Sequence, residues 1–324
     1  MPTYSLVPCP LCGHMGEELA SAEELKAELE SLWGFHERRL RPEVPPERLA
    51  DRLAFSQRPP LRLARCASCG VIWRNPAERA EEVTATYARE APAPHVLAAL
   101  HDTQRATARA QAMRLTAVQG GPGTVLEVGS YVGGFLSAAR EAGWLAEGVD
   151  VNHVASEHAR SRGHRVTHGE LSDVDPSRRW DAIVLWNCFD QLPDPRATLR
   201  EARERLVEDG VLALRVPNGG LYARTRRLAR GESLRAAVAR GVLAHNNLLG
   251  FPYRWGFTPR ALVALVESLG FRVERVVGDV LVPLRDRWTR PWARLEERMT
   301  KGAMRVHARM RPADAPWFEV YARR

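Results

Sequence analysis

Lysine is nearly missing from this 324-residue chain: of 47 basic residues, only Lys26 and Lys301 are not arginine. Cysteine is scarce too. The five cysteines fall as two close pairs and a single residue, which excludes the evenly spaced disulfide framework of a small secreted domain. No run approaches the roughly 20 apolar residues that a bilayer span requires. The N-terminus lacks the charged-then-apolar pattern of a secretory signal, so a cytoplasmic location is expected. Acidic residues thin out toward the C-terminus. Residues 221–324 hold 21 basic and 9 acidic side chains, a balance of +12, whereas residues 1–220 hold 26 and 30, a balance of −4. Such a basic third suits an anionic substrate, a nucleic acid or a lipid surface, although a bias toward arginine alone would also produce it.

The paired cysteines form two Cys-x-x-Cys-Gly knuckles, Cys9–Cys12 followed by Gly13 and Cys66–Cys69 followed by Gly70. Each knuckle aims two thiolates at one point. Together they supply the four sulfurs of a closed tetrahedral site, so a structural zinc ion held by Cys9, Cys12, Cys66 and Cys69 is expected. The stretch between the knuckles is long for a zinc ribbon and carries two helical patterns. In the first, Ser21 and Glu24 make a capping box ahead of Leu25, Leu29 and Leu32 on one face. The second begins near Pro46. These helices either pad the ribbon or cover a substrate opening. The expected organisation is a zinc-ribbon module over residues 1–77, a helical bridge over 78–122 and an α/β domain over 123–324.

From Thr124 onward, apolar runs alternate with helical stretches: TVLEV, LAEGVDV, HRVTH, WDAIVLW and GVLALRV. That alternation predicts a doubly wound, mostly parallel Rossmann-like sheet, with ligands at the carboxyl ends of its strands. The loop VLEVGSYVGGF follows the first strand. A dinucleotide site would need a glycine where Tyr131 stands, and Glu127 at the lip of the loop would repel a pyrophosphate. A carboxylate there suits a cationic ligand. Asp150 ends the second strand 23 residues later, placed to accept two ribose hydroxyls.

These residues, with GVDVN, DAIVLWNCFDQLPDP, DGVLALRVPN and FTPRALVALVESLGF, resemble the class I S-adenosylmethionine-dependent methyltransferases. The similarity is greatest to the branch headed by a cysteine ribbon, which includes sugar C-methyltransferases. The resemblance implies a seven-stranded sheet and S-adenosylmethionine as cofactor. It implies that Glu127, Gly129 and Gly133 hold the methionine part, with Tyr131 reshaping that pocket. It further implies that Asp150 holds the ribose, that Glu170 and Leu171 face the adenine, and that Val151 and Asn187 belong to the cofactor-binding set.

The implied reaction is methyl transfer to oxygen or carbon of a small-molecule or saccharide acceptor. Relatives often carry histidine where Gln191 stands and another polar residue at Asn187; if that histidine serves as a base, it is lost here, and Asn187, Gln191 and Tyr253 stand beside His245 as catalytic candidates. His245 is the best remaining base candidate, within an insertion over residues 219–256 that also supplies Tyr253, Arg254 and Trp255 as acceptor contacts. An Asn/Asp-Pro-Pro-aromatic turn is missing after the fourth strand, which argues against DNA amino-group methylation. Methylation or binding of RNA through the ribbon and the basic third remains the alternative, beside a scaffold that binds cofactor without turnover. In the C-terminal stretch, Leu284, Trp288, Trp292, Leu295 and Met299 fall at helical spacing among arginines. The expectation is a helix that packs this face on the sheet; a membrane-surface helix is the alternative. Residues 317–324 read as the antiparallel seventh strand.

Overall fold

A computed structural model describes residues 4–44, 62–89, 91–248, 251, 253–281 and 288–324. The helical pattern near Pro46, together with Leu284, lies outside the described residues.

In chain order the strands are β1 (Tyr4–Ser5), β2 (Glu17–Ala20), β3 (Leu63–Arg65), β4 (Ile72–Arg74), β5 (Ala77–Glu78), β6 (Thr124–Val128), β7 (Leu145–Asp150), β8 (Arg165–His168), β9 (Trp180–Trp186), β10 (Leu206–Pro217), β11 (Trp255–Gly256), β12 (Arg272–Asp279) and β13 (Trp317–Arg323). The α-helices are α1 (Ala22–Arg39), α2 (Ala80–Ala88), α3 (Pro94–Gln119), α4 (Gly134–Glu141), α5 (His153–Ser161), α6 (Pro195–Arg205), α7 (Gly219–Leu228), α8 (Leu234–His245), α9 (Pro259–Glu267) and α10 (Pro291–Met310).

The large sheet runs β12-β13-β10-β9-β6-β7-β8. Its strands β8, β7, β6, β9 and β10 are parallel, and β13 inserts antiparallel between β10 and β12. Successive residues feed opposite faces, as strand geometry requires. Leu126, Ile183 and Leu214 enter one core, while Val125, Ala182 and Ala213 enter the other. The chain leaves β6 toward β7 on one side and returns to β9 on the other. That switch point opens a crevice at the strand ends.

The ribbon is not a separate bead. Cys9, Cys66, Val71 and Trp73 belong to the same buried cluster as Leu126, Leu185 and Phe257 of the α/β domain. Its sheet runs β11-β4-β3-β2, so the end of the 219–256 insertion supplies a strand to the N-terminal module. Two residues are enough for that pairing, which is too short to leave a sequence pattern. Within α1 the capping box forms: Ser21 Oγ accepts from the Glu24 amide at 3.3 Å, and the Glu24 carboxylate accepts from the Ser21 amide at 3.1 Å. Leu25, Leu29 and Leu32 of that helix are buried.

Helix α3 forms one layer of the α/β domain. Gly134 opens α4 where α3 crosses it, and a side chain there would collide with Gln104 and the α3 backbone. The interface carries a buried relay: His101 Nε2 and His164 Nε2 lie 2.9 and 2.8 Å from Ser137 Oγ. Burial, then Arg140, pushes His164 down to about 4, and its Nδ1 has no partner among the described residues. Above the ordinary value near 6.5 both folded and unfolded forms are neutral. As the pH falls below it, the unfolded chain binds a proton that the folded chain refuses until about 4. Stability therefore drops across that window by at most about 1.4 kcal/mol per pH unit from this group. His164→Gln should flatten the fall in urea midpoint between neutral and acid pH. Equal slopes in the two proteins would contradict this assignment.

One expectation is overturned. In α10, Trp292, Leu295 and Met299 are exposed, while Ala293, Glu297, Lys301 and Ala308 are buried. The charged pair turns inward because Lys301 Nζ donates to Glu297 at 2.6 Å and Arg39 approaches the same carboxylate at 3.9 Å. Pairing makes that burial tolerable.

Candidate active site at the carboxyl ends of the parallel strands

A cavity of about 250 Å³ lies at the switch point. The glycine loop gives it Glu127, Gly129 and Ser130, and the ends of β9 and β10 give it Trp186, Asn187 and Arg215. Thr103, Gln104, Thr107 and Gln111 of α3 form one wall. The opposite wall is His245 of α8, Phe35, His36 and Arg39 of α1, and Glu297 and Lys301 of α10. Hence α1 does more than pad the ribbon.

The loop's geometry explains its residues. Gly129, Tyr131 and Gly133 have φ of 73°, 45° and 74°, so three alternate positions are left-handed. At Gly129 a Cβ would also sit 2.9 Å from Cys188 Sγ, so that glycine is required twice over. Tyr131 occupies the position where glycine is usual because glycine bears positive φ without strain. Its amide donates to Asp150 Oδ2 at 2.7 Å, and its ring packs on the cluster of Leu97, Val132 and Ala155, away from the cavity lining. These contacts offset the strain.

Glu127 is buried, and its Oε2 has no partner among the described residues. Burial, then the charge of Asp150, raises its carboxyl well above the ordinary range. Asp150 also titrates high because of burial, against the lowering effect of the Asn152 and Tyr131 amides that bond it. Each of its oxygens accepts one amide and keeps a second lone pair for a ligand. An unpartnered buried carboxylate at the head of the loop is the environment a ligand ammonium would neutralise.

Asn187 takes φ of 60° at the end of β9. Its amide donates to the Arg215 carbonyl at 3.1 Å, and its side-chain oxygen accepts from Arg215 Nη1. Arg215 is held by Asp279 at 2.7 Å and stacks over Trp317. Among the described residues its Nη2 has no partner, nor has Trp186 Nε1, and both residues line the cavity. His245 Nε2 lies 3.6 Å from Glu296, and its ring meets Phe35 edge-on at 4.9 Å. Burial, then Arg39, holds it below the usual histidine value, so at neutral pH it presents a neutral imidazole.

The cavity thus unites Glu127, Gly129, Asn187 and His245 from the expected residues. Gln191, Tyr253 and Arg254 lie instead on a second, smaller cavity with Arg74 and Tyr87. Gln191 Nε2 donates to the Asn187 carbonyl at 2.7 Å and so anchors the turn Phe189–Gln191. Gly133 begins α4 and packs on Ala159 and His164. The Val151 carbonyl lies 3.1 Å from His168 Nε2, Leu171 is in the main core, and Glu170 accepts from Thr84 of α2 at 3.0 Å. Sequence reasoning missed Arg215, which reads only as a polar break in an apolar strand. It also missed Asp190, buried with neither oxygen partnered among the described residues and pushed up to about 8 by burial.

The four cysteine sulfurs lie within 4.8 Å of one another, with Cys9 and Cys69 at 3.5 Å. Edges of roughly 3.8 Å follow from zinc–sulfur bonds of about 2.3 Å, so the set fits a structural zinc ion. Both knuckle glycines are left-handed, Gly13 at 72° and Gly70 at 75°.

Residues 99–276, more than half of the chain, match the family described as a methyltransferase domain. A ubiquinone biosynthesis O-methyltransferase from Paramagnetospirillum magneticum is 26% identical over 173 residues, which cover 51% of this chain and 66% of the relative. Among solved structures, a SAM-dependent methyltransferase from Archaeoglobus fulgidus aligns at 17% identity and TM-score 0.43 over 68% of this chain and 94% of its own. The plantazolicin methyltransferase BpumL, solved with a triazolic analogue and SAH, aligns at 12% identity and TM-score 0.45 over 75% and 97%. The strand order and the match over residues 99–276 lead to one conclusion: the chain belongs to the methyltransferase-domain family.

Proposed function

We propose that this enzyme methylates a hydroxyl oxygen, or an activated carbon, of a small molecule or saccharide. One observation carries the reading. One cavity is lined both by the Glu127 carboxyl, whose Oε2 has no partner among the described residues, and by the neutral His245 imidazole. Bound S-adenosylmethionine supplies an electrophilic methyl group. Glu127 neutralises the ligand's ammonium, Gly129 and Gly133 let the loop backbone approach it, and Asp150 accepts the ribose hydroxyls. Val151, Glu170 and Leu171 form the adenine side. Asn187, fixed by Arg215, borders the reacting centre. His245 takes the proton of an acceptor hydroxyl as the oxygen attacks, which suits a histidine kept unprotonated.

The similarity to the Paramagnetospirillum O-methyltransferase supports oxygen over carbon. The size of the cavity supports a small acceptor over RNA. Tyr253 and Arg254 contribute to the acceptor side only if the second cavity joins the first on binding. Four cysteines grouped as thiols rather than disulfides support a reducing compartment such as the cytoplasm.

The test pairs calorimetric titration of S-adenosylhomocysteine with methyl transfer to phenolic and sugar hydroxyls. His245→Gln should leave binding of S-adenosylhomocysteine within about twofold and lower kcat by roughly 10²-fold or more, with loss of the acidic limb of the pH profile. An unchanged kcat and profile would remove His245 from the chemistry. No binding to the folded wild type would remove the whole reading.

A further inference from the structure

Helix α10 is amphipathic in the wrong sense for a packed helix. Its buried face carries Ala293, Glu297, Lys301 and Ala308. Its solvent face carries Trp292, Leu295, Met299, Val306 and Met310, exposed by 51, 60, 68, 55 and 71%. With exposed Ala303 these residues recur at steps of 3, 4, 4, 3 and 4. At 3.6 residues per turn that spacing makes one straight stripe along the helix. Arg294, Arg298, Arg305 and Arg309 form a file along one flank, and among the described residues none of them has a carboxylate at ion-pair distance. The acidic residue nearest the other flank, Glu296, is engaged by Arg39. Helix α8, which contacts α10, exposes Leu234 and Val238 by 81 and 60%.

We infer that α10 is a membrane-surface helix that seats the enzyme on an anionic bilayer. An apolar stripe that runs the helix's length loses free energy in water and gains it at the acyl-chain boundary. Trp292 at one end fits the headgroup level, and the arginine file meets lipid phosphates. Charge decides between occupants. A second copy of α10 would cover the stripe, but an antiparallel twofold pair would bring two arginine files together. A bilayer satisfies both features at once. The arrangement also explains why charge is buried: the face opposite the stripe lines the cavity through Glu297 and Lys301. The lipid surface and the cavity therefore sit on opposite sides of one helix, roughly 10 Å apart. No described helix is long and apolar enough to cross a membrane, so the contact is peripheral.

The test is flotation of the full chain with vesicles of phosphatidylcholine alone and of phosphatidylcholine mixed with phosphatidylglycerol. The protein should float with the anionic vesicles and stay behind with the neutral ones. Leu295→Asp with Met299→Asp should lower anionic-vesicle partitioning by about tenfold or more at an unchanged melting temperature, because both residues are exposed. Arg298→Glu with Arg309→Glu should remove most of the salt-sensitive part. Equal partitioning of the Leu295/Met299 variant and the wild type would overturn the inference, since the chain's net charge of +8 would then account for the binding. So would a concentration-dependent dimer, seen by sedimentation, that the same variant dissolves. That result would assign the stripe to a second copy.

Discussion

Glu127→Gln weakens S-adenosylhomocysteine binding by roughly 30- to 150-fold, and leaves the ligand-free protein as stable as the wild type or more so. The first part follows from replacing a charge-assisted bond to the ligand ammonium with a neutral one, about 2–3 kcal/mol in a buried site. The second follows from the carboxylate's present state. Glu127 is buried with one oxygen unpartnered among the described residues, and beside Asp150 it is held in its protonated form well above the ordinary carboxyl range. An amide of the same shape has no charge to desolvate there. Opposite signs for affinity and stability separate a ligand-binding role from a structural one. Calorimetry and thermal melts on the same preparation check it. A variant that binds normally, or one that melts lower and binds weakly, would count against the assignment.

Binding should also be linked to protons. A ligand cation favours ionised Glu127, so at a pH below its raised value, binding should release a proton. Titrations in buffers of different ionisation enthalpy would show it as a buffer-dependent heat. The dependence should vanish in Glu127→Gln.

Loss of zinc, by chelation or by Cys66→Ser, abolishes methyl transfer and lowers the melting temperature sharply, rather than merely loosening an appendage. A structural zinc site of this kind supplies about 10–16 kcal/mol toward folding, comparable to the whole stability of a typical domain. Cys9 and Cys66 are buried in the cluster that also fills one face of the large sheet. Strand β11 ties the ribbon to the 219–256 insertion, and α1, which follows β2 of the ribbon, places Phe35, His36 and Arg39 on the cavity wall. A ribbon that came apart would therefore open that wall. Metal content, melting temperature and turnover should fall together as chelator is added. Full turnover in a zinc-free preparation would show that the acceptor wall does not depend on the ribbon.

The sequence by itself determined the features that depend on near neighbours along the chain. The alternation of apolar runs with helical stretches set the parallel sheet, because each strand and crossover is a local pattern. Two Cys-x-x-Cys-Gly knuckles marked the four sulfurs that cluster within 4.8 Å, because spacing within each knuckle fixes where its thiols point. Glu127 and Asp150 stood out as candidates because they fall at the carboxyl ends of β6 and β7, where such sheets bind ligands.

Only the tertiary structure decided what meets across the chain. Asn187 and His245 share a cavity, whereas Gln191, four residues beyond Asn187, faces another. The left-handed turn at Asn187 separates them, and one dihedral leaves no mark in composition. Arg215 was hidden because a polar residue in an apolar strand looks like an exception until its partners Asp279 and Asn187 are in place. The orientation of α10 was misread for the same reason. Periodicity reports that a helix has an apolar face but not which way that face points. Here the pairing of Lys301 with Glu297 turned the charged face inward and left the tryptophan stripe outside.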